Sequence, residues 1–278
     1  MWQGNVTERK AGPPEVGVSV IIFALAHSHN QNAGNAGKAQ KVAHDELWIP
    51  LVRRVREPFK GMWALPGGDL LTGKSLEWSA FVALESTTNL RPRYLEQLYT
   101  FGDPHRSGSA LPMVSIVYWA LIGSAQVDDL RDGDNVQWFA ESALPPLAFD
   151  HADIIRYALD RLRSKMSYPD VASKLVGPRF TLRRLHDVYE AIAGRRFDLG
   201  NFRRKMLASG QLEETGEKLA EGRHRPAAVY RYKPGIVDED NETWKSWDKQ
   251  LNAEPDRSGT VPSASVAGDD ALSPLTTD

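Results

Sequence analysis

The stretch from residue 67 to residue 90 has the frame of a catalytic motif that acts on phosphate compounds. It reads GGDLLTGKSLEWSAFVALESTTNL, which is a tight Gly-Gly turn followed by a helix that ends in Asn-Leu. Catalysis on such a frame needs hard divalent cations, which carboxylates three and four residues apart on one helix face would hold. That acidic cluster is missing here. The stretch therefore predicts a phosphate-compound scaffold that has lost its metal chemistry.

A second set of residues has the pattern of a DNA-contacting helix. Residues 181–194 and 201–210 read as two helices joined by a tight turn, and two short strands around a basic loop follow. This order is that of a winged helix-turn-helix, whose second helix enters the major groove, where Arg pairs with guanine and Asn with adenine. The residues expected to contact DNA on that helix are Asn201, Arg203, Arg204 and Lys205. We expect one or two of the basic side chains on bases and the rest on phosphates, and a merely solvated helix face is the alternative.

The other expected DNA contacts lie around that helix. The start of the first helix, the turn and the wing contribute Thr181, Arg183, Arg195, Arg223, His224 and Arg225. Backbone amides and hydroxyls at a helix start commonly meet phosphate, and basic wing residues reach phosphates or a minor groove. For His224, an ordinary exposed loop position is an equal alternative.

Hydrophobic periodicity predicts the strands that position these residues. Apolar and β-branched segments predict a mixed sheet with strands at 16–25, 45–55, 93–102 and 113–123, and a short strand from 136. The segment 27–44 has no periodicity and reads as a flexible loop.

Apolar residues at helical spacing predict the helices. This spacing predicts helices from Ser75, over 151–166, over 181–194 and over 201–210. Their expected N-caps are Ser75, Asp150, Thr181 and Asn201. Residues 167–180 read as a connection. The predicted fold class is therefore α/β, a sheet flanked by helices, followed by a winged helix-turn-helix domain.

Composition separates three regions along the 278 residues. The formal net charge is −2, but residues 170–235 are rich in Lys and Arg, and residues 236–278 are rich in Asp, Ser and Pro. These shifts predict a ligand-sensing domain over 13–166, a DNA-binding domain over 170–235 and an acidic, largely disordered tail. The chain has no cysteine, no signal-like segment and no apolar run of membrane length, so a cytoplasmic protein without disulfides is expected.

The first stretch resembles the Nudix box with its acidic positions replaced. That motif reads Gly, five residues, Glu, seven residues, Arg-Glu, an aliphatic, any residue, Glu-Glu, any residue and Gly, and Gly68 takes its first position. The replaced positions are Lys74, Val82, Ala83, Ser86 and Thr87. Glu85 is acidic but occupies the unconstrained position, about 100° around the helix from Ser86. We therefore expect an inactive Nudix domain with no catalytic residue and no metal.

The chain resembles, over about residues 13–234, the Nudix-related transcriptional regulators of NAD metabolism, the NrtR family. The resemblance rests on LYTFGDPHR, PMVSIVYWAL and LAFDHADIIRYALDRLR, and on FTLRRLHDVYEAIAGRRFDLGNFRRKMLASGQLEETGE with RPAAVYRY. It implies a homodimeric repressor of NAD-synthesis genes that senses an NAD-related nucleotide, ADP-ribose first, with no required cofactor. Such a dimer would read a palindromic operator with half-sites about one helical turn apart.

Candidate ligand contacts lie near the altered box. They are Arg54, Arg56, Trp63, Lys74, Asp103, His105, Arg106 and His151. An arginine can pair with a diphosphate, and loops that follow strands are a usual place for ligand contacts. The alternatives are a core position for Trp63, a solvated side chain for Lys74 and an ordinary helix start for Asp150 and His151.

Two other functions remain open at this point. One is a Nudix hydrolase that takes its metal ligands from Glu77 or Glu85. The other is an RNA-binding or interaction protein on a degenerate Nudix scaffold. The pattern of two helices and a wing argues against RNA, because A-form RNA hides its major groove.

Overall fold

The computed structural model describes residues 14–27, 45–89, 91–92, 94–106, 112–123, 135–220 and 226–237. These residues all belong to one compact unit, Met1–Trp244. The predicted 27–44 loop lies almost wholly outside them, as do the wing residues Arg223, His224 and Arg225 and the acidic tail from residue 238. No helix among the described residues is long and apolar enough to cross a membrane.

Seven strands of the described residues form a mixed sheet. They are β1 Glu15–His27, β2 Asp45–Arg53, β3 Trp63–Ala64, β4 Gly67–Asp69, β5 Tyr94–Phe101, β6 Met113–Ile122 and β7 Val136–Ala140. The order is β3-β2-β1-β6-β5, with β4 paired to β1 and β7 paired to β2. Only β1 and β6 run parallel among these pairs, and they are in register from Glu15–Met113 to Ala24–Ile122. Every residue of β1 from Val20 to Leu25 is fully buried, because both faces of this central strand are covered.

The two glycines at the start of the box do not form the predicted turn. Gly67 and Gly68 lie in β4, opposite Ser19 and Val18 of β1. A Cβ atom on Gly67 would lie 2.5 Å from the Val18 carbonyl oxygen, so only glycine allows this approach of the two backbones. The turn lies further along, where the Lys74 N–H donates to the Leu71 carbonyl at 3.1 Å.

Helices cover both faces of the sheet. Helix α1 spans Leu76–Thr88 and packs on β1, and its predicted N-cap is confirmed, since the Ser75 hydroxyl accepts from the Trp78 N–H at 3.0 Å. Helix α2 spans His151–Ser164 and buries Ile154 and Leu162 against the opposite face. The first part of the chain is thus an α/β/α sandwich, as predicted.

The C-terminal part contains one helix that the sequence did not predict. Its elements are α3 Pro169–Val176, β8 Phe180–Thr181, α4 Leu182–Ala193, α5 Leu199–Ala208, β9 Leu212–Leu219 and β10 Ala227–Tyr232. Helix α3 occupies most of the predicted connection, and Pro169 begins it, which is a favourable position for proline. The strands form a small antiparallel sheet in the order β8-β10-β9. Helices α3 to α5 with this sheet make a winged helix-turn-helix.

The predicted N-cap of α4 is confirmed, and the predicted N-cap of α5 is corrected. Thr181 caps α4, accepting from the Arg184 N–H at 3.1 Å, and Gly194 ends it with φ +64°. Helix α5 begins two residues earlier than predicted. Its cap is Asp198, whose carboxylate accepts from the Asn201 N–H at 2.7 Å. Asp and Asn are equally good caps, so local sequence did not distinguish them.

One hydrophobic core runs from the large sheet into the C-terminal helices. It joins Phe23 of β1, Leu47 of β2, Leu162 of α2, Leu175 of α3 and Leu185 of α4, all at most 1% exposed. Burial of each such side chain contributes about 2 kcal/mol. The helix-turn-helix therefore packs directly against the sandwich.

Polar contacts hold α4 at both of its ends. Near its start, the Arg184 guanidinium pairs with the carboxylate of Asp45 at the beginning of β2, and the Asp45 side chain is only 1% exposed. At its end, Arg163 of α2 donates to the Ile192 carbonyl oxygen at 3.1 Å. Helix α4 is thus fixed to elements of the sandwich through side chains as well as through the core.

Candidate nucleic-acid interface and ligand site

Helix α5 exposes a basic face. Asn201, Arg203, Arg204 and Lys205 are all exposed, and Arg204 donates to the Asn201 side-chain oxygen. On the opposite side, the Phe202 ring lies edge-on to the rings of His186 and Tyr189, with centroids 5.2 Å away in each case. The helix therefore buries its aromatic side against α4 and leaves its charged side accessible to a partner.

The predicted contacts around α5 differ in their accessibility. Thr181 is 1% exposed and its hydroxyl caps α4, so the prediction of a DNA contact through this side chain is wrong. Arg183 is exposed beside Asp187, with Nε 3.3 Å from the carboxylate. Arg195 is exposed and its guanidinium lies 4.8 Å from the centre of the Phe197 ring. Both arginines border the basic face of the helix-turn-helix.

The altered box has no carboxylate on the helix face where a Nudix metal site would lie. Ser86 and Thr87 donate their hydroxyls to the Ala83 carbonyl oxygen of the same helix, at 3.2 and 2.7 Å. Glu85 pairs instead with Arg91, with its carboxylate 3.0 Å from Nε. Short hydroxyl side chains that bond back to the helix do not replace a carboxylate as magnesium ligands.

Glu77 is the other acidic residue of α1, and its surroundings disfavour the charged form. Partial burial raises the pKa of the Glu77 carboxyl. Glu77 also lies close enough to Tyr118 to contribute to the raised pKa of that phenol, although burial of Tyr118 is the larger cause.

A cluster of arginine and aromatic side chains lies between the end of β2 and the start of α2. The Arg54 guanidinium lies 4.5 Å from the centre of the Phe149 ring, and its Nε donates to the Pro58 carbonyl at 2.8 Å. Phe59 meets Phe149 edge-on at 4.9 Å. Both phenylalanines have positive φ, +63° and +56°, a conformation that strains a side chain of this size. Such strain tends to occur at functional sites.

A buried ion pair involves Asp150, the residue that follows Phe149 in the chain. Arg106 donates through Nε and Nη2 to the two carboxylate oxygens of Asp150, both at 2.9 Å. Asp150 occupies the predicted N-cap position of α2, but its side chain makes no cap hydrogen bond. The Arg106 side chain is 3% exposed, and among the described residues its buried Nη1 has no hydrogen-bond partner. Arg106 is therefore tied to Asp150, next to Phe149 of the cluster.

His151 is buried and neutral at physiological pH. Its Nδ1 accepts from the Leu65 N–H at 2.9 Å. The pKa of His151 is lowered to about 4: burial is the largest cause, Asp150 opposes the shift, and Arg106 and Arg54 add to it. The ring accepts this hydrogen bond from the segment just before the box and so links that segment to the start of α2.

The other predicted ligand residues are spread around this cluster. Strand β2 ends at Arg53, two residues before the predicted end, so Arg54 and Arg56 both lie beyond the strand. Trp63 packs edge-on against Phe139 at 5.1 Å and joins the core. The exposed members are Arg56, Lys74, Asp103 and His105. The structure thus brings together Arg54, Arg106 and His151.

Comparison with known proteins decides the family. Residues 172–232 match the model of the NrtR DNA-binding winged helix domain. Over 196 residues the chain is 36% identical to the ADPR responsive transcriptional repressor NtrR of Acinetobacter baylyi, which covers 69% of this chain and 78% of that protein. The chain belongs to the NrtR family. The family resemblance expected from the sequence is therefore confirmed.

A solved structure confirms that the NrtR architecture extends over both parts. The chain is similar to Shewanella oneidensis NrtR complexed with a 27mer DNA, with a TM-score of 0.61 and 31% identity over 80% of this chain and 94% of that one. Similarity to an enzyme is more limited. The ADP-ribose pyrophosphatase of Methanocaldococcus jannaschii is 32% identical over 108 residues, 39% of this chain and 63% of that protein.

As an NrtR protein, the chain carries two features that sequence reasoning missed. Neither Phe59 nor Phe149 was predicted as part of the ligand site. No residue pattern predicts a positive φ at phenylalanine, so their role became visible only in three dimensions.

Proposed function

We propose that this protein is a transcriptional repressor of NAD-metabolism genes whose Nudix-like domain binds ADP-ribose without hydrolysing it. The observation that carries this proposal is the coexistence of a winged helix that matches the NrtR model with a Nudix box that lacks its carboxylates. The response of the Acinetobacter relative to ADPR supports the choice of ligand. A regulator of this kind acts where the chromosome lies, and we place it in the cytoplasm.

The DNA-binding surface is the exposed face of α5 with its surroundings. Asn201, Arg203, Arg204 and Lys205 enter the major groove, and Arg183 and Arg195 contact phosphates. The wing residues Arg223, His224 and Arg225 reach the flanking backbone or minor groove. The protein acts as a homodimer on a palindromic operator, because two copies of α5 then read half-sites about one turn apart.

The ligand site centres on Arg54 and the phenylalanines around it. Arg54 pairs with the diphosphate, and a charge-assisted contact of this kind is stronger than a neutral one. Arg56, Lys74 and His105 add polar contacts from the rim, whereas Arg106 and His151 hold the cluster in place. No cofactor is required for binding.

Ligand binding releases the operator by changing the geometry of the dimer. ADP-ribose favours an arrangement in which the spacing of the two α5 helices no longer matches the half-sites. The size of this effect equals the difference in its affinity for the two arrangements.

A hydrolase remains the second candidate, and the similarity to the archaeal pyrophosphatase is what favours it. The two functions predict different products. Incubation with ADP-ribose and magnesium would release AMP from a hydrolase, whereas our proposal predicts that ADP-ribose is recovered intact. Release of AMP at a rate proportional to protein concentration would replace the proposal with the hydrolase.

Fluorescence anisotropy on a duplex from the gene's own upstream region tests the repressor directly. We expect tighter binding to this duplex than to a scrambled one, and release on addition of ADP-ribose at fixed salt. Specific binding without a response to ADP-ribose would exclude this effector, and equal affinity for single-stranded RNA would point to the RNA-binding alternative.

A further inference from the structure

In the turn between α4 and α5, the backbone of one residue, Phe197, is held by hydrogen bonds to side chains of α4. The Phe197 N–H donates to Glu190 Oε1 at 2.7 Å, and its carbonyl oxygen accepts from His186 Nε2–H at 3.1 Å. His186 and Glu190 are four residues apart on α4 and therefore lie on one face of that helix. Both backbone groups of one turn residue are thus held by a pair of side chains from the preceding helix.

Further contacts hold both of these side chains, Glu190 and His186, in place. The second carboxylate oxygen of Glu190 accepts from Arg196 at 3.1 Å. The His186 ring is 5% exposed and lies edge-on between the rings of Phe197 and Phe202, with centroids 6.5 and 5.2 Å away. The polar contacts therefore fix the backbone of the turn, and the ring contacts fix the first turns of α5.

Phe197 lies just before α5, so contacts to its backbone affect the direction of that helix. Phe197 directly precedes Asp198, the N-cap of α5, so its backbone sets the direction in which the helix leaves the turn. Lys205 lies about 12 Å along the helix from this point, at about 1.5 Å per residue. A tilt of about 10° at Phe197 would displace it by about 2 Å, which exceeds the tolerance of a hydrogen bond to a base.

We propose that His186 and Glu190 are positioning residues for DNA recognition, which set the angle of α5 through the backbone of Phe197. This inference rests on the proposed role of α5 as the recognition helix. Neither side chain needs to touch DNA. The ligand atoms of His186, Asp187 and Glu190 lie within 4.8 Å of one another, as a cation site would require. Each of the three side chains already contacts a protein group, so hydrogen bonding accounts for their arrangement.

A positioning role makes a prediction that a phosphate contact does not. Loss of a phosphate contact lowers affinity for all sequences and reduces the salt dependence. Loss of correct positioning lowers affinity for the operator more than for scrambled DNA, because only base contacts require the exact angle. The ratio of operator affinity to scrambled affinity, measured with its salt slope, therefore separates the two roles.

The test compares Glu190→Ala with Glu190→Gln in the full chain by fluorescence anisotropy on the upstream duplex and its scrambled version. Alanine removes the acceptor for the Phe197 N–H, whereas glutamine retains an oxygen there. We expect Glu190→Ala to lower the affinity ratio about tenfold, which corresponds to the net free energy of one hydrogen bond, without changing the salt slope. Glu190→Gln should stay within about twofold of the wild type.

Glu217→Ala is the matched control for the lost negative charge. Glu217 lies on β9 and pairs with the exposed Arg179 at 2.6 Å, away from Phe197. This variant should leave the affinity ratio unchanged. If Glu190→Ala melts too early for binding measurements, His186→Leu and His186→Gln replace the pair, since only glutamine retains a donor for the Phe197 carbonyl.

Three outcomes would overturn the inference. An unchanged ratio in Glu190→Ala would show that the contact does not position α5. Equal losses in Glu190→Ala and Glu190→Gln would assign the effect to charge. Wild-type protein that does not distinguish the operator from scrambled DNA would overturn the proposed function itself, and this result is separate from the behaviour of the variants.

Discussion

At the scale of single residues, the protein combines an altered Nudix box with an exposed basic helix. The box positions that would hold a metal carry Ala83, Ser86 and Thr87, and the two hydroxyls bond to their own helix. The basic side chains of α5 are solvent-exposed. Substitutions at single positions can therefore test the DNA-binding role and the ligand-domain packing separately.

Arg204 tests the assignment of the recognition helix. Neutralisation in Arg204→Ala should weaken operator binding and reduce the slope of log affinity against log salt by about one, because one fewer cation is released from DNA. Titrations at several salt concentrations measure this slope. Binding that matches the wild type at every salt concentration would show that α5 does not face DNA.

His151 predicts a dependence of stability on pH. Its pKa in the folded protein is about 4, below the ordinary value of 6.5, so the unfolded chain binds more protons between these values. The stabilisation is complete above pH 6.5 and decreases by about 1.4 kcal/mol per pH unit as the pH falls towards 4.

Urea denaturation at several pH values measures this effect, with His151→Gln as the comparison. Glutamine retains an acceptor for the Leu65 N–H but does not titrate. The variant should lose the part of the pH dependence that lies between the two pKa values. A variant that follows the wild-type curve would show that another group is responsible.

At the scale of elements, the longer strands and most helices followed from periodicity, but helix α3, strand β4 and several element ends did not. The N-caps Ser75 and Thr181 were predicted correctly because each acts within its own few residues. Asp150 lies at the predicted N-cap position of α2, but its carboxylate bonds to Arg106, 44 residues away along the chain, and not to the helix. The ligand cluster depends on contacts of this long-range kind, so residue types alone could not assemble it.

The corrected start of α5 gives a test at this scale. Removal of the cap in Asp198→Ala should cost about 1 kcal/mol of stability, because the Asn201 N–H loses its acceptor. Asn201→Ala should leave stability almost unchanged while lowering DNA affinity. Thermal unfolding of both variants measures the difference in stability. If Asn201→Ala were the less stable variant, Asn201 would be the cap, as the sequence predicted.

At the scale of the whole molecule, the two functional parts share a core and are joined through α4. The Arg184–Asp45 pair links this helix to β2, and it is nearly excluded from water. Because a buried charge without its partner is costly, this contact constrains how α4 can move relative to the sheet. This contact offers the ligand signal that we propose a structural route from the sheet to α4.

Asp45→Asn tests this route. We expect the variant to bind ADP-ribose and operator DNA separately, but to show a smaller effect of one on the other, since the link between the domains is weakened. The control is Arg156→Gln, which removes an exposed ion pair of α2 with Asp153. Unchanged coupling in a folded Asp45→Asn variant would exclude the pair as part of the route.

The measurement that tests the central claim most directly is a thermodynamic cycle for ADP-ribose and operator DNA. Calorimetry gives the affinity for ADP-ribose with and without the operator, and anisotropy gives the affinity for the operator with and without ADP-ribose. A sensor-repressor requires that each ligand weaken the binding of the other by the same factor. Affinities that are independent of the second ligand would contradict the claim, even if both ligands bind.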